Sequence, residues 1–496
     1  MRSVFASALC LLLVAAVGCG AFSSDDPDAP SGPTPGGPGG SGGAGGSGGA
    51  GTPPLEGTSA GEIVVSAPDG KATFVRGAVT SIKVGVERRN GFGGPVTVGL
   101  ANAPAGVVAR PLVVAAGQAS AVLEVDVTKD QAQGEVTGIV LEGTSPDVRA
   151  RASAPLAAFV RGAPGELDTT YGAQGSVDAA PYGATITPAG EAFVRSSYPK
   201  KSRWYSSDGL LDREIESEMF RPFILGERGH NCVIYPVLDE GSVTGLSEAV
   251  CFRWLAKTGV PDVGFPTTGP QVVGMMVQQD LVFDRATGNM AVAGTCEYFP
   301  VGTPRAVCIH WLSANGTGVG PQVRMNFLSA LYPGGIFTAD GLVAPVTGGL
   351  VRAKFGAASY DPAFIASVGG SALLSGLVED PQKRIVVGGP LFLGRVTNTG
   401  SVDGTFNPPP LTLAAVGSAR VALQADGKII KAIQLGSGEA STCGVLRYLP
   451  DGKLDASFGD GGSAIYPVTP CQPAQLAIVP DGRILFGHKK FVRVWN

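Results

Sequence analysis

Two columns of opposite charge recur along the later two thirds of this 496-residue chain. A cation opens a short phrase at Arg203, Arg253, His310, Arg395, Arg447 and Arg493, and more weakly at Arg352. An aspartate opens a second phrase, clearest in Leu454-Asp455-Ala-Ser-Phe458, with counterparts at Asp168, Asp212, Asp262, Asp361 and Asp403. Cations set around a ring would line an anion-binding channel. Cations paired one to one with carboxylates would instead lock neighbouring units together. A binding site needs an asymmetric few, whereas a column present in every unit serves packing, so pairing is the expectation.

Other catalytic groupings are thin. The histidines are His230, His310 and His488, and His310 is expected to fill a slot of the arginine column. No Gly-x-Ser-x-Gly stands at a strand-helix turn as a nucleophile elbow would, and the acids include no pair set apart for sugar hydrolysis. The calcium pattern Asp-x-Asp-x-Asp-Gly is also missing, and Asp426, Asp451 and Asp481 read as Asp-Gly turns. The sequence names no catalytic residue, cofactor or metal site.

Eight cysteines include Cys10 and Cys19 near the N-terminus, leaving an even six. Cys232 and Cys251 flank one turn-like stretch, Cys296 and Cys308 another. Both pairs are expected to be disulfides across hairpins, leaving Cys443 for Cys471. Metal binding would want Cys-x-x-Cys, which does not occur, or a set of histidine partners, and the chain has only three histidines. Strand alternation puts Cys251 with Arg253, and Cys308 with His310, on one face. Trp254 and Trp311 then lie on the other, packing between units.

These columns are positioned by a repeat. From Asp168 to Asp455 the aspartate phrase takes six steps of about 48 residues. In five copies a glycine follows the cation by five or six positions: Gly209, Gly259, Gly316, Gly400 and Gly452. A third phrase, Val421-Ala-Leu-Gln-Ala-Asp-Gly-Lys-Ile-Ile430, returns as Leu476-Ala-Ile-Val-Pro-Asp-Gly-Arg-Ile-Leu485. It reads as strand, Asp-Gly turn, strand. In order and wording the phrases resemble the Delta-60 repeat of bacterial exported proteins over residues 164–496. Short strands at this period predict a β-propeller of about seven blades. The last unit breaks off after the Arg493 phrase, and Gly165 to Tyr171 supplies the missing continuation, so strands from both ends are expected to close the ring.

Upstream, residues 61–160 alternate as strands in Ile63-Val-Val-Ser-Ala, Ser81-Ile-Lys-Val-Gly-Val-Glu and Ala121-Val-Leu-Glu-Val-Asp-Val. About seven short strands in this length predict a two-sheet sandwich. The stretch from Gly93 to Val107 resembles immunoglobulin-like modules of bacterial exported proteins, which implies a spacer or adhesion module. Residues 1–18 have the size of a secretory signal, since the apolar run Val4 to Val17 is too short to cross a bilayer. Ala16-Val17-Gly18-Cys19 resembles a lipobox, which implies acylation at Cys19 and, with Gly20 following, an outer-membrane or surface location. Residues 19–60 form a tether: Gly32 to Gly51 holds 12 glycines and no strand or helix pattern.

A net charge of −4 with only 16% charged residues argues against nucleic-acid binding, which needs a basic stripe. The all-β chain is therefore expected to be anchored to a membrane by lipid and to act as a non-catalytic binding or scaffold module. Its partner would be a surface protein or a polysaccharide. The alternatives are an extracellular propeller enzyme, lyase or hydrolase, acting on a polymer, and a structural envelope protein.

Overall fold

A computed structural model describes residues 61–496 apart from isolated positions and the stretches 179–183, 217–223, 226–229, 237–246, 254–270, 297–305, 326–334 and 369–373. The expected signal, Cys19 and tether lie outside the described residues.

The first part is a sandwich. One sheet orders Glu62–Ser66, Val79–Arg89, Ser120–Val127 and Val107–Ala109; the other orders Val148–Pro155, Val140–Ser145, Val96–Ala101 and Leu112–Val114. Alternation dictates the packing. Val79–Arg89 turns Ile82, Val84 and Val86 inward, and Ser120–Val127 does the same with Leu123, Val125 and Val127. They meet Val96, Val98 and Leu141 of the second sheet in one core. A small third sheet pairs Ala72–Val75 in parallel with Ala158–Arg161, which also pairs antiparallel with Gly134–Val136.

From residue 176 on, the described strands form seven antiparallel sheets, the blades of a propeller. The first blade runs from Ala184–Ile186 to Leu211–Glu216, the second from Ile224–Leu225 to Gln271–Val272, the third from Met275–Phe283 to Val323–Met325 and the fourth from Ile336–Thr338 to Ile365–Ser367. The fifth holds Gly376–Glu379, Ile385–Gly388 and Leu393–Val396; the sixth runs from Ala415–Leu423 to Ser463–Tyr466. The seventh joins Gln475–Ile478, Ile484–Gly487 and Lys490–Val494 to Ser176–Asp178 from the other end of the propeller. Each blade's first strand touches the first strand of the next, and Gln475–Ile478 touches Ala184–Ile186, so the ring closes.

Burial explains why blades need one another. Inner strands are covered on both faces, so alternation gives way to continuous apolar runs such as Ile429–Leu435 and Gly341–Val346. Each core belongs to two blades: Ile430, Ala432 and Val445 of the sixth pack on Ile484, Phe486 and Val492 of the seventh.

The cysteines fall on these strands as follows. Cys443 and Cys471 form a disulfide that ties the third strand of the sixth blade to the connection beyond it. Cys308 is disulfide-bonded. Cys232 and Cys251 stand opposite each other in register, whereas Cys296 faces Ala306 and Cys308 faces Gly294. The side chains of Cys232, Cys251 and Cys296 lie outside the described residues.

Candidate functional site

The charge columns converge where the third strands of the fourth to seventh blades end. Arg395 holds Asp403 with Nε 2.7 Å from the carboxylate, Arg447 approaches Asp455 at 2.8 Å, and Arg352 Nη2 holds Asp361 at 2.7 Å. In the seventh blade Arg493 Nε donates to Asp168, which comes from the far end of the propeller, at 2.6 Å. Local chain chemistry sets the spacing of the aspartate phrase. Each carboxylate accepts the N–H two residues on, at Ala363, Thr405, Ser457 and Thr170. The aspartate carbonyl then accepts the N–H of the aromatic three residues on, which folds that ring under the guanidinium. Arg352, Arg395, Arg447 and Arg493 lie 4.5, 4.6, 4.8 and 4.6 Å from the ring centroids of Phe364, Phe406, Phe458 and Tyr171.

The same arginines reach across to the following blade. Nη1 of Arg352 donates to the Asn398 carbonyl, that of Arg395 to the Pro450 carbonyl, and that of Arg447 to Asn496 Oδ1. Arg493 donates to the Ser207 carbonyl. The glycine of the repeat belongs to this latch. Gly452 has φ +94°, and a Cβ there would sit 3.1 Å from the Phe406 ring of the preceding blade.

A second cation, unforeseen from the columns, grips the carboxylate from the first hairpin. Lys428 lies 3.4 Å from Asp455, Arg483 2.8 Å from Asp168, and Arg384 3.6 Å from Asp403. Two of the three follow an Asp-Gly turn directly, and that position was the available signal. At Asp403 the Thr405 hydroxyl bond, helped by the Thr405 N–H and Arg395, overcomes burial and pulls the carboxyl down to about 2. At Asp455 burial pushes upward, but the Ser457 bonds and the charges of Arg447 and Lys428 outweigh it, again to about 2.

The arginine column needs two corrections. In the third blade Trp311, not His310, stands in the arginine slot. Trp311 pairs with Ala291 where Arg395 pairs with Val386, and its carbonyl accepts the Val319 N–H as that of Arg395 accepts the Asp403 N–H. His310 points to the other face, where burial pushes its imidazole pKa down. In the first blade Trp204 takes the slot, and Arg203 instead holds Glu214 on the neighbouring strand at 2.6 Å. Asp212 is exposed there. Spacing, not charge, marks the slot: glycine follows Trp204, Trp254 and Trp311 by five positions, just as it follows Arg395 and Arg447. Trp311 is buried, packs on Phe337 and Phe355, and donates its indole N–H to the Ala357 carbonyl of the next blade at 3.0 Å. The Arg253 side chain and Asp262 lie outside the described residues.

Other chemistry-bearing groups are scattered. Among the described residues, no three His, Cys, Asp or Glu side chains are grouped to hold a metal ion. Lys431 is buried in the sixth blade, and its Nζ donates to the carbonyls of Pro390 and Phe392 in the fifth, at 3.2 and 3.0 Å. Burial pushes its pKa down to about 8.

No protein-family model matches the chain, and no curated protein matches it. Among solved structures, a structural-genomics protein of unknown function from Bacteroides thetaiotaomicron aligns at 9% identity and TM-score 0.36, over 87% of this chain and 98% of that one. A gluconolactonase from Xanthomonas campestris aligns at 14% identity and TM-score 0.28, over 51% and 84%. A glucose dehydrogenase aligns at 14% and 0.29, over 65% and 98%. Likenesses this distant carry no argument about chemistry.

Two pH experiments follow from the latch and from Lys431. Asp403→Asn is expected to cost about 3 kcal/mol at neutral pH, because it strips a carboxylate from a buried arginine. The Asp403 pKa is depressed when folded, so its stabilisation is present above about pH 4 and is lost as pH falls toward 2. Urea titrations from pH 7 to 2 should show the two proteins converging across that window. Lys431 is also depressed, but as a base: the folded state penalises its charged form. Relative to Lys431→Met, the wild type should gain up to about 1.4 kcal/mol per pH unit above pH 8, levelling near the ordinary lysine value. Parallel curves over pH 7 to 10 would contradict this.

Proposed function

We propose that this chain is an exported, lipid-anchored protein whose propeller is a non-catalytic binding or scaffold module for a surface protein or polysaccharide. The observation that supports it is where the repeated charge goes. Asp168 and Asp455, with Arg395, Arg447 and Arg493, are buried, and Asp403 is partly so; all are committed to one another, to rings and to neighbouring blades. Charges spent this way make a rigid platform and leave recognition to the loops between strands. The sandwich packs where the third strand of the seventh blade runs on to residues 163–170. Loops joining second to third strands leave the opposite ends of those strands, away from the sandwich, and Leu391 on one of them is exposed. Such a face suits a macromolecular partner held on a tether.

The test is proximity cross-linking on intact cells, comparing the wild type with Cys19→Ala. The reading expects membrane retention only with Cys19, and reproducible capture of one surface protein or polysaccharide. Membrane retention without Cys19 would sink the anchor. Turnover of a captured polymer would replace the binding module with a propeller lyase or hydrolase.

A further inference from the structure

The sandwich touches the propeller at the seam where the ring closes. Two chain segments meet there: residues 165–171, and Lys490–Val494 with Trp495. They are joined by the Asp168 N–H to the Arg493 carbonyl, the Gly165 N–H to the Trp495 carbonyl, and the Trp495 N–H to the Glu166 carbonyl. One sandwich side chain is bonded to both segments. Gln133 Oε1 accepts the Trp495 indole N–H at 2.9 Å and the Thr169 backbone N–H at 2.9 Å. Gln133 Nε2 donates to the Leu167 carbonyl at 3.0 Å.

Packing converges on the same point. Phe159 of the sandwich lies 5.9 Å from Trp495, ring centre to ring centre, and Arg483 covers that indole at 5.1 Å. Any side chain on Gly162 would run into Trp495 and Gln133. Arg76 reaches Glu166 at 3.4 Å, and Arg161 Nη1 donates to the Asn496 carbonyl at 3.5 Å. A spacer that merely preceded the ring would have no reason to bond both of its closing segments.

We propose that the sandwich is the clasp of the ring: its Gln133 loop fastens together the two segments whose pairing closes the propeller. This assigns the sandwich a role independent of whatever the propeller binds. A closed ring resists opening through its seam, because the seam holds together distant parts of the chain. Four hydrogen bonds at one amide, the fourth from the Thr169 hydroxyl to Oε1 at 3.2 Å, each worth about a factor of several in the opening equilibrium, set the expected size.

The experiment is backbone hydrogen exchange on the full chain carrying Gln133→Leu. Exchange at residues 165–171 and 490–495 should speed up at least about tenfold. Strands Ile429–Leu435 and Thr442–Tyr448 of the sixth blade should keep their protection. Gln118→Ala, which alters a sandwich turn away from the seam, should leave the seam as it is. If Gln133→Leu does not fold, Gln133→Glu keeps the three acceptor contacts of Oε1 but replaces the donor to Leu167 with an oxygen that the Leu167 carbonyl repels, so acceleration at the seam is again expected. Unchanged seam exchange in the Gln133 variant that folds, or equal acceleration in Gln118→Ala, would overturn the clasp.

Discussion

A buried guanidinium closed on a buried carboxylate is the contact on which this architecture turns. Both members of the Arg493–Asp168 pair are almost wholly removed from water. Charges there are tolerable only when nearly every donor and lone pair is used. The carboxylate is used by Arg493, Arg483 and the Thr170 N–H; the guanidinium gives Nε to the carboxylate and Nη1 to the Ser207 carbonyl and stacks on the Tyr171 ring, while its Nη2 is buried without a hydrogen-bond partner. Because the partners come from opposite ends of the propeller, the pair also decides whether the ring is a ring. The glycines, the aromatic three positions after each aspartate and the cation after the Asp-Gly turn all serve that arrangement.

The third blade shows what the latch is for by doing without its charge. Trp311 and Val319 stand where arginine and aspartate stand in the fourth to seventh blades, and the indole N–H keeps the reach to the next blade. Replacing a buried ion pair with apolar groups of similar bulk is often neutral or better for stability. The conserved geometry is therefore the bridge between blades, and charge is one way of building it. That supports treating the columns as structure.

Much of this was legible because it is local. The Asp-Gly hairpins, the aspartate-to-aromatic spacing and the closing role of Gly165 to Tyr171 depend on neighbours within a few residues or on a repeated phrase. The slot of Trp204 and Trp311 was legible too, in the glycine five positions on, but an eye drawn to charge places Arg203 and His310 there instead. Gln133 was not legible at all. A lone glutamine in a sandwich loop carries no pattern, and its partners at Leu167, Thr169 and Trp495 meet only after the ring has closed.

The account rests on the buried latch being a strong, coupled unit rather than a surface ion pair that happens to recur. A double-mutant cycle on Asp168→Asn and Arg493→Met, run beside one on Arg203→Met and Glu214→Gln, measures this directly. The Arg203–Glu214 pair has similar spacing but keeps about a third of its side-chain surface in water. The account predicts a coupling of about 3 kcal/mol for the latch and below about 1 kcal/mol for the exposed pair. Equal couplings, or none at the latch, would contradict it.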